Sequence, residues 1–176
     1  MKYNLRNIVG TKVRLRPIQM SDTDNIVRWR NNPNVLKNFI FREPFTAEMH
    51  TNWMETKVKN GDVIQYIIED LESGQDVGSV YFRDINLTHN SAEYGIFLGE
   101  DSARGKGIGS ETACLFTRFG LDELGLHRIS LRVLGGNLQA IRTYEKAGFI
   151  QEGVAKSMVF LDGHYWDVAF MAIINE

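Results

Sequence analysis

The chain has 176 residues, enough for one domain (1–176) around one hydrophobic core. Apolar residues make up 43% and charged residues 24%, and 20 basic against 22 acidic residues leave a formal net charge of -2, without the basic surplus that a nucleic-acid partner would call for. No run of about 18 apolar residues occurs, Met1 to Thr11 carries no signal-peptide core, and the one cysteine, Cys114, has no internal partner, so neither membrane nor secretion is expected and the expected location is cytoplasmic.

Val13 to Pro17 alternates and predicts a first strand. Ser21, followed by Asp22, Thr23 and Asp24, reads as the cap of a helix that carries Ile26, Val27, Trp29 and Arg30 and ends at Pro33. A second helix runs from Thr46 through Trp53 and Val58 to the Asn60-Gly61 stop. Three strands follow, at 63–69, 77–85 and 92–98, joined by turns at Ser73-Gly74 and 86–90. A long helix is predicted from Lys106 to Leu124, with Ile108, Thr112, Leu115, Phe116 and Phe119 on one face and Gly125 as its stop. A strand at 128–133, a helix over 138–147 and two strands around the Asp162-Gly163 turn complete an α/β order of β-α-α-β-β-β-α-β-α-β-β. The four histidines are scattered, no His, Cys or carboxylate group has metal spacing, and no metal is expected.

The most informative segment is Arg-Gly-Lys-Gly-Ile-Gly at 104–109, between an alternating strand and a helix. Glycines let backbone N–H groups approach a ligand without a Cβ in the way, and the helix points its positive end at the same spot, which suits phosphate groups. A dinucleotide fingerprint fails because Ser110 stands where its third glycine belongs, and a P-loop fails because Gly107 follows Lys106. Arg104-x-x-Gly107-x-Gly109 remains.

This string resembles the pyrophosphate loop of the GNAT superfamily of N-acetyltransferases. A second string, Asn137-x-x-Ala140-x-x-x-Tyr144-Glu145-Lys146-x-Gly148-Phe149, resembles the coenzyme-contacting helix of the same family. The resemblance implies a mixed, mostly antiparallel twisted sheet, flanked by helices and splayed between the fourth and fifth predicted strands, with acetyl-coenzyme A wedged in the gap. It implies coenzyme contacts from the backbone of Arg104, Gly105, Lys106, Gly107, Ile108, Gly109 and Ser110 and from Asn137, whose other reading, the cap of its helix, is compatible with that contact. One N–H near Phe97, Leu98 or Gly99 is expected to face the thioester carbonyl. Tyr144 is expected to protonate the leaving thiolate, since a phenol of pKa ~10 stays protonated at neutral pH. Glu93, on the face shared with Gly95 and Phe97, is the candidate base; a lysine amine of pKa ~10.4 needs one more than an α-amine does.

Acceptor choice in the family comes from the first two helices, their connecting loop and the last hairpin. Trp29, Phe39, His50 and Tyr165 lie there and are the candidate acceptor-binding residues. These regions resemble two branches, one acting on protein N-termini, such as the ribosomal-protein-alanine enzymes, and one on small amines such as polyamines or amino sugars. Expected partners are a small-molecule or peptide amine and a second copy of the chain. A non-catalytic acyl-coenzyme A sensor is the alternative of another class, and the presence of Tyr144 argues against it.

Overall fold

In the computed structural model, which describes residues 3–175, the strands form one eight-stranded sheet. The strands are β1 (Ile8–Val9), β2 (Val13–Pro17), β3 (Ile64–Asp70), β4 (Gln75–Asn86), β5 (Ser91–Leu98), β6 (Arg128–Leu134), β7 (Ile150–Leu161) and β8 (His164–Ile174). The helices are α1 (Thr23–Arg30), α2 (Pro33–Leu36), α3 (Ala47–Trp53), α4 (Ile108–Arg118) and α5 (Leu138–Lys146). Spatial order is β1-β2-β3-β4-β5-β6-β8-β7. Every neighbouring pair is antiparallel except β5 and β6.

Alternation along β3 assigns the two faces. Tyr66 and Ile68 pack with α4 and α5 in the larger core, where the Phe82 and Phe116 rings stack at 4.3 Å. Ile67 points the other way and packs with Ile26, Trp29, Val35, Met54 and Phe97 under α1 to α3. No helix of the described residues is long and apolar enough to cross a membrane.

Several boundaries differ from the sequence expectation. Asp22, not Ser21, stands at the N-cap of α1. Its carboxylate takes the Gln19 N–H at 2.8 Å and the Arg16 guanidinium at 2.7 Å, which a serine hydroxyl cannot match. Pro33 does more than end α1: it opens α2 at the first helical position, capped by the Asn32 side chain. The helix after the glycine loop starts at Ile108, because Gly107 holds φ 83° at its N-cap, and it finishes in a wide turn over Phe119–Glu123. The two-residue β1 is too short to show a period.

Glu111 fixes the start of α4 to the sheet. Its carboxylate accepts the N–H groups of Thr11 (2.9 Å), Lys12 (2.7 Å) and Val13 (3.0 Å) and the Thr11 hydroxyl (2.5 Å). Lys12 in turn donates its ammonium to the Lys106 carbonyl at 2.8 Å, so the β1–β2 turn braces the glycine loop from behind. Burial pushes the Glu111 carboxyl up, but the bonds from Thr11, Lys12 and Val13 outweigh it and hold the group below its ordinary 4.5. A carboxylate with a depressed folded value adds stability above its unfolded value and loses it as pH falls through the folded one. Glu111→Gln is therefore expected to lower stability at neutral pH by about 1–2 kcal/mol, toward the low end for a bond to a solvent-touched charge. Thermal melts below pH ~4.5 should bring variant and parent together.

Candidate active site

β5 and β6 pair only at Ser91↔Arg128, Ala92↔Ile129 and Glu93↔Ser130. Beyond Glu93 they separate, and a cavity of about 1020 Å³ fills the opening. Its walls include β5 from Glu93 to Leu98, the loop 103–110 without Lys106, and Asn137, Ala140 and Tyr144 from the α5 side.

The loop presents bare backbone to this cavity. Gly105 and Gly107 hold φ of 76° and 83°, values that a residue with a Cβ rarely adopts. Among the described residues, none of the N–H groups from Gly105 to Ser110 meets a protein acceptor; the next one, on Glu111, donates to the Gly107 carbonyl at 3.0 Å. Five of these six residues, all but Lys106, line one cleft at a helix N-terminus, an arrangement that suits a pyrophosphate. The Lys106 side chain turns away, to Glu72 at 3.5 Å and Asp70 at 3.8 Å. The Arg104 guanidinium holds the Asn34 carbonyl at 3.1 Å and Asp101 at 3.4 Å, tying the loop to α2.

Of the three backbone positions considered for the carbonyl, the sheet distinguishes one. The Gly99 N–H donates to the Val77 carbonyl at 2.8 Å, and the Gly99 carbonyl accepts from Asn32 at 3.1 Å. Antiparallel alternation then turns the N–H and C=O of Phe97 toward β4 as well, and those of Leu98 and Ile96 toward the gap. A Cβ on Gly99 would lie 2.0 Å from the Trp29 ring, so the glycine serves packing there.

Tyr144 is half-buried on the cavity wall, edge-on to Tyr94 and Phe149 at 5.9 Å each. Burial pushes its phenol well above the ordinary 10, with a further push from Tyr81, so the proton stays on at any physiological pH. Asn137 caps α5 by accepting the Ala140 N–H at 3.2 Å, and its amide donates to Asn38 at 3.2 Å. Glu93 faces the cavity with two arginines on it: Arg83, its cross-strand neighbour on β4, and Arg132 at 3.1 Å. Both bind Oε1, and Oε2 has no partner among the described residues.

The acceptor candidates separate. Phe39 and His50 line the cavity. His50 is buried, its Nδ1 lies 2.9 Å from the Thr23 hydroxyl, and its Nε2 has no partner among the described residues. Burial pushes the His50 pKa down, against a smaller upward pull from Asp22, which keeps the ring neutral. Trp29 is not on the wall: it is fully buried beneath Gly99 and donates to Glu100 at 2.7 Å. Tyr165 is also off the wall, exposed near the β7–β8 tip against Phe160. Sequence reasoning missed Arg30, Arg83 and Arg132, all of which line the cavity.

A sheet opened along one parallel seam, with unpaired loop amides at its mouth, is the arrangement that the resemblance to acyl-transfer enzymes implies. The Acetyltransferase (GNAT) domain family matches residues 12–150, and the chain belongs to that family of N-acetyltransferases. Among similar proteins, the spermidine N(1)-acetyltransferase of Vibrio cholerae is 28% identical over 169 residues, covering 96% of each chain. Its counterpart in Escherichia coli K12 is 29% identical over 165 residues, 93% of this chain and 87% of the relative. The crystal structure of spermidine N-acetyltransferase from Vibrio cholerae with CoA and spermine superposes with a TM-score of 0.86 at 26% identity, covering 94% of this chain and 96% of that one.

One contact across the cleft floor is open to a direct test. A Cβ on Gly95 would lie 2.3 Å from the ring of Tyr81, its partner across β4 and β5, so the ring occupies the space a side chain there would need. Gly95→Ala is expected to cost about 1–3 kcal/mol in a thermal melt, the usual penalty for overpacking. Tyr81→Ala in the same chain should recover most of that loss, because the two changes are coupled through one contact.

Proposed function

We propose that this chain transfers the acetyl group of acetyl-coenzyme A to a primary amine on a small molecule, by direct attack within a ternary complex. The observation that carries the reading is the row of unpaired N–H groups from Gly105 to Ser110, in a loop whose residues other than Lys106 line the β5–β6 gap. These groups hold the coenzyme's pyrophosphate, and the acyl arm runs along β5, whose backbone past Glu93 has no β6 partner. The neutral amine attacks the thioester carbonyl. The Leu98 N–H receives the developing oxyanion. The carbon–sulfur bond breaks, and Tyr144 gives its proton to the departing thiolate. The attacking nitrogen loses its extra proton to the free Oε2 of Glu93, directly or through one water, while Arg83 and Arg132 hold Oε1. No enzyme nucleophile is required.

The named activities of the relatives favour a small amine over the protein N-terminal amine that the sequence left open. A sensor that binds without reacting has no use for a phenol and a carboxylate on the same wall. Assembly with further copies is part of the reading, since a Vibrio cholerae relative is known as a dodecamer. The edge strand β7 and the adjoining β8 expose Ile150, Met158, Phe160 and Tyr165.

Acetyl-coenzyme A at one hundred times its dissociation constant should stabilise the protein by ~2.7 kcal/mol in a thermal melt. Gly109 separates holding from folding: a Cβ there would meet Leu98 at an ordinary 3.7 Å. Gly109→Val should leave the melting temperature of the free protein near that of the parent and weaken acetyl-coenzyme A at least about tenfold. Tyr144→Phe should lower kcat by about 10²-fold or more with little change in KM, followed by thiol release; an unchanged kcat removes Tyr144 from the mechanism.

A further inference from the structure

The acceptor side of the cavity is cationic. Arg30, Arg83 and Arg132 line it, and Glu93 is the one carboxylate on the wall among the described residues. Glu93 is shared between Arg83 and Arg132. Arg30 has nothing comparable: no hydrogen bond or ion pair reaches its guanidinium among the described residues, and its Nε is buried and unpartnered. Its Cζ lies over Phe39 at 4.6 Å and over Phe45 at 4.7 Å, so two rings hold the plane without neutralising it. The buried, unpartnered His50 Nε2 lies on the same wall. A guanidinium partly withdrawn from water without an anion carries a cost, and part of that cost is recovered when an anion arrives.

We infer that the acceptor amine carries an oxyanion, a carboxylate or a phosphate, which Arg30 binds while the amine reaches the thioester beside Glu93. The inference rests on the acetyl-transfer reading and narrows its substrate class. A planar fork of N–H donors matches either oxyanion with two parallel bonds. A protonated polyamine meets the opposite: its distal ammonium groups enter a wall with two positive charges in excess. This acceptor pocket therefore departs from the named substrate of the spermidine-acetylating relatives.

The test is a matched set of primary amines assayed with acetyl-coenzyme A by thiol release. Butylamine, γ-aminobutyrate and putrescine share one chain and differ in the far group; ethanolamine and its phosphate ester supply the phosphate arm. The expected order places an anionic member at least about tenfold above its neutral partner in kcat/KM, with putrescine and spermidine lowest. Which anionic member leads separates carboxylate from phosphate. Arg30→Met, which keeps an aliphatic stem between the two rings, should bring kcat/KM of each anionic amine down to that of its neutral partner in the same variant, and Arg30→Lys should restore part of the difference. A parent enzyme that ranks putrescine or spermidine first overturns the inference, as does an Arg30→Met variant that keeps the anionic preference. Should Arg30→Met fail to fold, the parent ranking decides alone. Thiol release with none of the amines would defeat the acetyl-transfer reading separately. Calorimetric binding of γ-aminobutyrate and of the phosphate ester, each against its neutral partner, then decides the inference: tighter binding of the anion supports it, and equal or absent binding overturns it.

Discussion

The site depends on one interrupted pairing. β5 and β6 hold together through three residue pairs and then part at Glu93. Up to that point the ladder consumes backbone groups on both sides of β5; past it, Leu98 and Ile96 have β4 on one side only and direct their own N–H and C=O into the cavity. An unpaired edge inside a sheet is normally a liability. Here it lies beside a loop whose N–H groups are also unpaired, and one bound molecule can satisfy both sets. In the proposed function that molecule is the coenzyme.

The supports of that opening lie outside it. Glu111 gathers the β1–β2 turn onto α4, and Lys12 holds the Lys106 carbonyl, so the loop is set from its rear. Arg104 and Asn32 do the same from α2, through the Asn34 and Gly99 carbonyls. These contacts use carbonyl oxygens and side chains and leave the N–H groups of the loop untouched. The division of labour explains why the basic side chains of Arg104 and Lys106, within the glycine loop, point to other partners.

Much of the architecture was legible in the chain. The strands showed themselves by alternation, the helices by apolar stripes and their glycine stops. The glycine loop and the Asn137–Phe149 string were legible because their glycines, helix cap and helix stop follow local backbone rules. The seam between β5 and β6 was not legible from pattern, since periodicity describes a strand and not its neighbour; it came from the family resemblance. The acceptor side was read less well. Aromatic identity does not say which way a ring faces, and so Trp29 and Tyr165 were misplaced while Phe39 and His50 reached the wall. Two signals were present and unused. Arg30 follows Ile26 by one helical turn, which puts a charge on the buried stripe of α1. A hairpin turning near residue 88 sets Arg83 opposite Glu93.

The segment from Lys37 to Phe45 spans the wide end of the wedge. It is held on the β6 side by Asn38 to Asn137 at the head of α5 and by the Arg42–Asp162 ion pair at the hairpin tip, and on the other side by Asn31 at the end of α1, whose side chain donates to the Phe45 carbonyl at 2.7 Å and accepts the Phe45 N–H at 2.9 Å. A wedge tied across its mouth keeps a set width before anything enters it. On the function proposed above, the acyl donor meets a slot already spread, and none of its binding energy goes into prising strands apart. Capture of the donor should then follow simple one-step kinetics, its rate set by encounter and not by a slow opening of the protein.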